Sequence, residues 1–291
     1  MKTTIVLVSF ASCVLSGLAH SNGQRYSMNT HSLSSEGRYE DSTLIRLTVV
    51  YDNNPLVTGL RTAWGFACFV ELGATRFLFD TGGDGDILLE NMAKLGISPG
   101  DVDAVVISHI HHDHLGGLMD LLHENSALAV YVPKSFPPDV SRDIQMAGAK
   151  LIRADSCEQL SPQAFTLGIF KGSIPEQALV IRTDRGLALI TGCAHPGIVN
   201  IVQGAQSVFP NEPVCLVIGG FHLSRLQSGD ISDIVRALRG LGVQKVAPCH
   251  CSGETARMFF KRAYGESFIE MGVGGRIDIP SAAGGDNQRA R

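Results

Sequence analysis

Ser108-His109-Ile110-His111-His112-Asp113-His114-Leu115-Gly116-Gly117 is the stretch that decides how this chain is read. It carries the spacing H-x-H-x-D-H directly after an apolar segment, Val102 to Ile107, that reads as a buried strand. In extended chain leaving a strand, His109 and His111 point to one side. Where the chain turns toward a helix, Asp113 and His114 face a second point close by. Neutral imidazole and carboxylate are zinc ligands, and the same pair suits iron or manganese. The spacing can therefore serve two adjacent divalent ions. A purely structural reading makes Asp113 the N-cap of the next helix, a role compatible with metal binding.

Further segments repeat one theme. Downstream stand Thr191-Gly192-Cys193-Ala194-His195-Pro196-Gly197, Gly219-Gly220-Phe221-His222-Leu223 and Pro248-Cys249-His250-Cys251-Ser252-Gly253. Each sets a histidine just after an apolar, strand-like run: Leu187–Ile190, Val214–Ile218 and Val243–Ala247. A lone histidine at a strand end is ordinary surface chemistry. Three in succession, each with glycine nearby, point to a shared site, with His222 the weakest of them. Upstream, Phe77-Leu78-Phe79-Asp80-Thr81-Gly82 is a strand ending in an aspartate.

The H-x-H-x-D-H run with its Gly-Gly resembles the signature of the metallo-β-lactamase superfamily, and the other segments extend the likeness. With Tyr51-Asp52-Asn53-Asn54 they resemble one branch, whose named member is the dihydropterin-ribofuranosylaminobenzene 5'-phosphate synthase of methanopterin biosynthesis. The similarity runs from about Leu44 to Ile279. It implies that Asp80 orients the metal-binding loop without ligating. The resemblance bears on fold and metal site far more than on substrate, because one fold hosts many chemistries.

The rest of the composition agrees. The chain has 291 residues, 44% hydrophobic and 18% charged, enough for a substantial core. Ligands spread from His109 to His250 must converge, which favours one domain over two. A formal net charge of -4 with a single Trp offers no basic stripe for nucleic acid. The expected partner is a small-molecule substrate, with a phosphorylated one among the candidates. Arg61, Lys171 and Arg225 could meet an anion but read first as surface charges.

Lys2 followed by the apolar run Ile5 to Leu18, then Gly17-Leu18-Ala19, reads as a secretory signal peptide over residues 1–19. That run is too short for a stable membrane span. Residues 20–42 read as a polar linker, 43–280 as the folded domain and 281–291 as a disordered tail. With the leader the protein is exported, to the periplasm or the medium; without it, cytoplasmic. Of the seven cysteines, Cys13 leaves with the leader. Cys68 and Cys215 sit in apolar runs as buried thiols. Cys193, Cys249 and Cys251 flank the candidate ligands, and a thiolate ligand from Cys193 or Cys251 is a minor alternative. No disulfide framework is read.

Strands are expected at Leu44–Tyr51, Gly65–Leu72, Thr75–Phe79, Val102–Ile107, Leu128–Val132, Leu179–Thr183, Leu187–Ile190, Val214–Ile218 and Val243–Ala247. Helices are expected at Ile87–Leu95, from the metal loop to about His123, and at Val140–Ala147, Ile198–Phe209, Ile231–Leu241 and Thr255–Ala263. Strands come in two batches, each followed by helices. The expected class is therefore α+β: an αβ/βα four-layer sandwich, the metallo-β-lactamase or metallo-hydrolase fold.

The ligand set assigns His109, His111 and His195 to one ion and Asp113, His114 and His250 to the other. The cofactor expected is two divalent ions, zinc first, with manganese or iron as alternatives. Such ions lower the pKa of water toward ~7 and polarise a carbonyl or phosphoryl oxygen. The expected activity is hydrolysis of an ester, lactone, amide or phosphoester, with Asp113 and His222 as catalytic groups. One departure from the family pattern matters. No aspartate stands at the strand end where a bridging carboxylate is usual, so His195 or His222 fills that place, and a single tight ion is the other outcome. The alternatives in function are a pterin-pathway transferase like the named relative and a non-catalytic metal- or ligand-binding module.

Overall fold

The computed structural model describes residues 44–281. The expected leader, the linker and all but the first residue of the tail lie outside the described residues.

The chain opens as an antiparallel meander of β1 (Leu44–Asp52), β2 (Phe66–Leu72) and β3 (Thr75–Phe79). Alternation of helices and parallel strands follows. Helix α1 (Gly85–Lys94) leads to β4 (Ala104–Val106), and α2 (His112–Leu115) and α3 (Leu118–Glu124) lead to β5 (Ala129–Pro133). Helix α4 (Pro138–Met146) leads to β6 (Lys150–Ala154). A second series repeats the scheme. The strands β7 (Glu158–Gln159), β8 (Ala164–Thr166), β9 (Leu179–Thr183) and β10 (Gly186–Thr191) run antiparallel to one another. Then come α5 (Ile198–Val208), β11 (Val214–Gly220), α6 (Ser228–Gly240), β12 (Lys245–Cys249) and α7 (Glu254–Tyr264). Strand β13 (Arg276–Pro280) returns to pair with β1. The sheets run β13-β1-β2-β3-β4-β5-β6 and β12-β11-β10-β9-β8-β7.

Side-chain alternation shows how the layers stack. Strand residues point alternately to opposite faces. Ile45, Leu47, Val49, Phe66, Cys68, Val70, Phe77 and Phe79 of the first sheet share one cluster with Leu179, Ile181, Ala188, Ile190, Leu216 and Ile218 of the second. That cluster is the seam between the sheets. Their neighbours of opposite facing, Ala67, Phe69 and Leu78, pack outward on Leu88, Met92, Leu118 and Leu121 of α1 and α3. Val180, Leu187, Leu189 and Val217 pack on Ile201, Val202, Ile231, Leu238 and Phe260 of α5, α6 and α7. The result is the expected four-layer sandwich, with helices outside and two sheets inside.

Local chemistry explains most element ends. Asp84 caps α1, its carboxylate accepting from the Ile87 N–H at 3.0 Å. Asp113 is not an N-cap: it stands inside the first turn of α2, whose cap position is His111, so its carboxylate is free for the site. The expected long helix after the metal loop is two short ones, broken at Gly116-Gly117. A Cβ on Gly116 would come within 2.5 Å of Gly83 O, and one on Gly117 within 2.4 Å of Thr81 O. These glycines let the loop after β3 lie directly on the loop after β4. Strands β6, β7, β8 and β13 were not read from the sequence; they are short and at or near sheet edges, with β6 and β13 rich in exposed charge. No helix among the described residues is long and apolar enough to cross a membrane.

Strands β10, β11 and β12 are parallel, so their C-terminal ends share one edge. Gly219 is held there at φ +119°, and a Cβ would fall 2.0 Å from Thr191 O. Gly219→Ala is expected to lower stability by about 1–3 kcal/mol through backbone strain and overpacking, read as a lower urea midpoint at unchanged slope.

Candidate metal centre

Every candidate ligand sits just past the C-terminal end of a strand or in the loop it leads into. Asp80 follows β3, and Ser108 to His114 follow β4. Cys193 to His195 follow β10, His222 follows β11 and His250 follows β12. Among described residues other than glycine, positive φ occurs at Asp80 (58°), Ala194 (60°), His222 (55°) and His250 (45°). All lie in these turns. Such conformations cost about 1–3 kcal/mol each and persist only where the surroundings enforce them.

The first half of the site is ordered by Asp80, which is fully buried. Its Oδ1 accepts from the Ser108 N–H at 2.6 Å. Its Oδ2 accepts from the Ser108 hydroxyl at 2.7 Å and from His114 Nδ1 at 2.7 Å. Ser108 Oγ, having donated its proton to Asp80, accepts from His109 Nδ1 at 2.8 Å. The network therefore places a proton on Nδ1 of both His109 and His114 and turns each Nε2 into the site. Asp80 thus has the orienting geometry expected of it.

Ring nitrogens then converge. His109 Nε2 and His195 Nε2 each lie 3.2 Å from His111 Nδ1. Lone pairs facing one another at that distance repel unless a proton or a cation stands between them. A second group adjoins the first. His250 Nε2 lies 3.2 Å from Asp113 Oδ2, and His114 Nε2 lies 3.8 Å from the same oxygen. His250 Nδ1 donates to Asn53 Oδ1 at 2.8 Å. Its Nε2 is buried and satisfies no hydrogen bond. A buried, unpartnered acceptor costs free energy, and this one faces a carboxylate across a gap that a cation would fill. The donor set fits divalent metal ions.

All eight residues singled out from the sequence lie in or around this cluster: the two groups just given, Asp80 behind them, and His222 beside His195 with ring centroids 4.3 Å apart. His222 is exposed. Sequence reasoning held Cys193 only as a minor alternative ligand, yet its Sγ belongs to three donor groups: with Asp113, His114 and His250; with His109 and His195; and with His222 and Cys251. It missed Glu176 altogether. This buried carboxylate accepts from the backbone N–H groups of Cys193 (2.9 Å), Ala194 (2.8 Å) and His195 (2.9 Å) and so shapes the ligand loop. Cys68, Cys193, Cys215, Cys249 and Cys251 are free thiols, and Arg61 is tied to Glu90 at 2.9 Å.

Electrostatics follow burial and neighbours. Burial, then the surrounding histidines, hold His109 well below the usual imidazole range. Burial with His222 and His111 pushes His195 down to about 4. Burial works against ionisation of Asp113, but His250 and His114 outweigh it and keep the carboxyl well below its usual range. Burial also lowers His114, and Asp80 more than reverses that. His222 is raised, first by its hydrogen bond with Cys251. Burial pushes Glu176 up to about 7, against the three N–H donors. Beside the cluster stands Trp64, 57% exposed, its ring centroid 4.5 Å from that of His250.

The family described as the metallo-beta-lactamase superfamily matches residues 65–151. Over 243 residues the chain is 29% identical to the 7,8-dihydropterin-6-methyl-4-(beta-D-ribofuranosyl)-aminobenzene-5'-phosphate synthase of Methanocaldococcus jannaschii, covering 68% of this chain and 83% of that protein. It is also similar to the solved structure of Tm1679, a metal-dependent hydrolase of the beta-lactamase superfamily. The TM-score is 0.69 at 29% identity, covering 81% of this chain and 100% of that one. The metallo-beta-lactamase fold protein YhfI of Bacillus subtilis gives 0.61 at 16% identity, over 81% and 99% of the two chains, a likeness of fold.

Glu176 gives a pH signature in chelator-treated protein. The unfolded chain releases this proton near the ordinary value of 4.5 and the folded chain near about 7. Between those values the folded state binds the extra proton, so stability falls as pH rises, by up to about 1.4 kcal/mol per unit. Glu176→Gln is expected to flatten that part of the profile, measured by urea melts at stepped pH.

Proposed function

On the premise that the chain carries a metallo-beta-lactamase superfamily domain, we propose that it is a metal-dependent hydrolase acting on an ester, lactone, amide or phosphoester. The observation that carries this reading is the convergence of ligand-type donor atoms. His109, His111 and His195 turn three ring nitrogens to one point, and His250 Nε2 stands buried and unpartnered beside Asp113. His109, His111 and His195 would hold one ion, and Asp113, His114 and His250 the second, with zinc the first choice and manganese or iron next. When bound, such ions supply Lewis acidity toward a carbonyl or phosphoryl oxygen and a water-derived nucleophile near neutral pH.

The chain's own groups do the remaining work. Asp80 fixes two imidazoles through Nδ1, leaving their Nε2 atoms as donors. Asp113, kept anionic by His250 and His114, accepts a hydrogen bond from the attacking water and orients it. His222, exposed at the rim and favoured in its protonated form by Cys251, donates a ring N–H proton to the leaving group. Trp64 offers an apolar surface beside His250 for the organic part of the substrate.

A second reading rests on the identity to the methanogen synthase: a transferase joining a pterin to a ribosylated aminobenzene phosphate. Joined product in a mass-spectrometric assay with both substrates, absent with either alone, would favour it over hydrolysis.

Wild-type protein purified without chelator is expected to carry about two ions per chain and Asp113→Ala about one, by plasma mass spectrometry. Chelation is expected to abolish hydrolysis of a lactone and phosphoester panel, and zinc to restore it. An ion content unchanged in Asp113→Ala would remove this aspartate from the site.

His222→Ala is expected to lower kcat by about 10²–10⁴-fold on substrates with poor leaving groups and far less on activated esters, read from a leaving-group series.

A further inference from the structure

We infer that Cys193 is a sulfur donor shared by both metal positions, standing where a carboxylate would otherwise bridge them. The inference rests on the metal-site reading above and extends it to which atom links the two ions and which metals the site selects.

The two donor groups are otherwise disjoint. One has His109 and His195, the other Asp113, His114 and His250, and Cys193 Sγ lies within 4.8 Å of every donor in each. Among the described residues, Asp113 is the one carboxylate grouped with Cys193, and it belongs to the second donor group alone. The loop after β10 reads Gly192-Cys193-Ala194-His195. The nearby carboxylate of Glu176 has both oxygens engaged by that loop's own N–H groups. The sulfur is held in place. The Cys193 N–H donates to Glu176 at 2.9 Å, and its side chain is 3% exposed. Glycines let the neighbouring chain pack closely around this loop. A Cβ on Gly192 would strike Ser108 Oγ at 2.1 Å, and one on Gly220 would lie 2.7 Å from Cys251 Sγ and 3.2 Å from Cys193 Cα.

The facing donor is also prepared. His114 Nδ1 is committed to Asp80, so its Nε2, 3.2 Å from Cys193 Sγ, presents a lone pair toward the same region as the sulfur. A second observation is independent of the cysteine: His250 Nε2, with its residue 2% exposed, aims unpartnered into the same group. The ordinary alternative is a plain S–H to Nε2 hydrogen bond, with no role for sulfur toward metal.

Two consequences separate the readings. Sulfur loses its proton to solvent as it becomes a ligand, so loading releases an additional proton. Thiolate also selects zinc or iron over manganese and magnesium, which take oxygen donors. Cys251, which shares the third group with Cys193 and His222, is placed beside the shared sulfur and is not itself the link.

The test is cobalt(II) loading of the whole chain, followed by near-ultraviolet absorption. A sulfur-to-cobalt charge-transfer band is expected in the wild type and in Cys251→Ser. Cys193→Ser is expected to lose it, with a drop in ion content. Cys193→Asp is expected to lose the band yet keep the wild-type ion content, because a carboxylate can take the bridging role. X-ray absorption at the zinc edge of the wild type, expected to show a sulfur scatterer near about 2.3 Å, needs no variant and stands if one fails to fold. A wild type without band or sulfur scatterer overturns the inference, as does a band that survives Cys193→Ser. Hydrolysis without a band would overturn the sulfur assignment and leave the hydrolase. A band without hydrolysis would uphold the sulfur and remove the hydrolase.

Discussion

Asp80 Oδ2 accepts two hydrogen bonds at once, from Ser108 Oγ and from His114 Nδ1, and the rest of the site depends on them. A carboxylate buried among apolar strands is expensive unless its lone pairs are used. Here Oδ1 is taken by a backbone N–H as well. Through Ser108 the same carboxylate reaches His109. One residue therefore fixes the tautomer of one imidazole in each proposed ion group, and the loops after β3 and β4 are locked by the interaction that prepares the donors. The contact of Thr81 with His114 O, at 2.8 Å through the backbone and 3.0 Å through the hydroxyl, ties the same two loops a second time.

The second sheet supplies its share differently. Glu176 holds the 193–195 loop from below by its backbone, and Arg257 braces the end of β12 by donating to Pro248 O and Met271 O at 2.9 Å each. Left-handed backbone at Ala194, His222 and His250 turns each chain sharply off its strand. Strain of that kind is stable because the seam between the sheets is a close-packed hydrophobic layer that does not deform to relieve it. Rigid strands carry loops whose shape they would not adopt alone.

The candidate donors were legible in the sequence because metal ligation calls for particular atoms, and histidines at strand ends announce themselves. The four-layer sandwich was legible from the order of elements, two batches of strands each followed by helices. Other parts left no such trace. Glu176 acts on backbone N–H groups, so nothing in its partners' identities points to it. Asn53 stands in a quoted motif, yet its bond to His250 joins residues 197 apart in sequence. Cys193 read from the sequence as a minor alternative ligand beside Cys251, and its position between two donor groups is what separates the two. Strand β13 is a five-residue edge that only its pairing with β1 reveals.

The chain's single tryptophan is Trp64, and it stands beside the ring of His250 with more than half its surface in solvent. Indole emission is sensitive to a neighbouring imidazole and to the charge that imidazole carries. The long-wavelength fluorescence of the protein therefore originates at the edge of the candidate metal centre. The molecule has an optical gauge built into its wall, one that registers what happens to His250 without any added label.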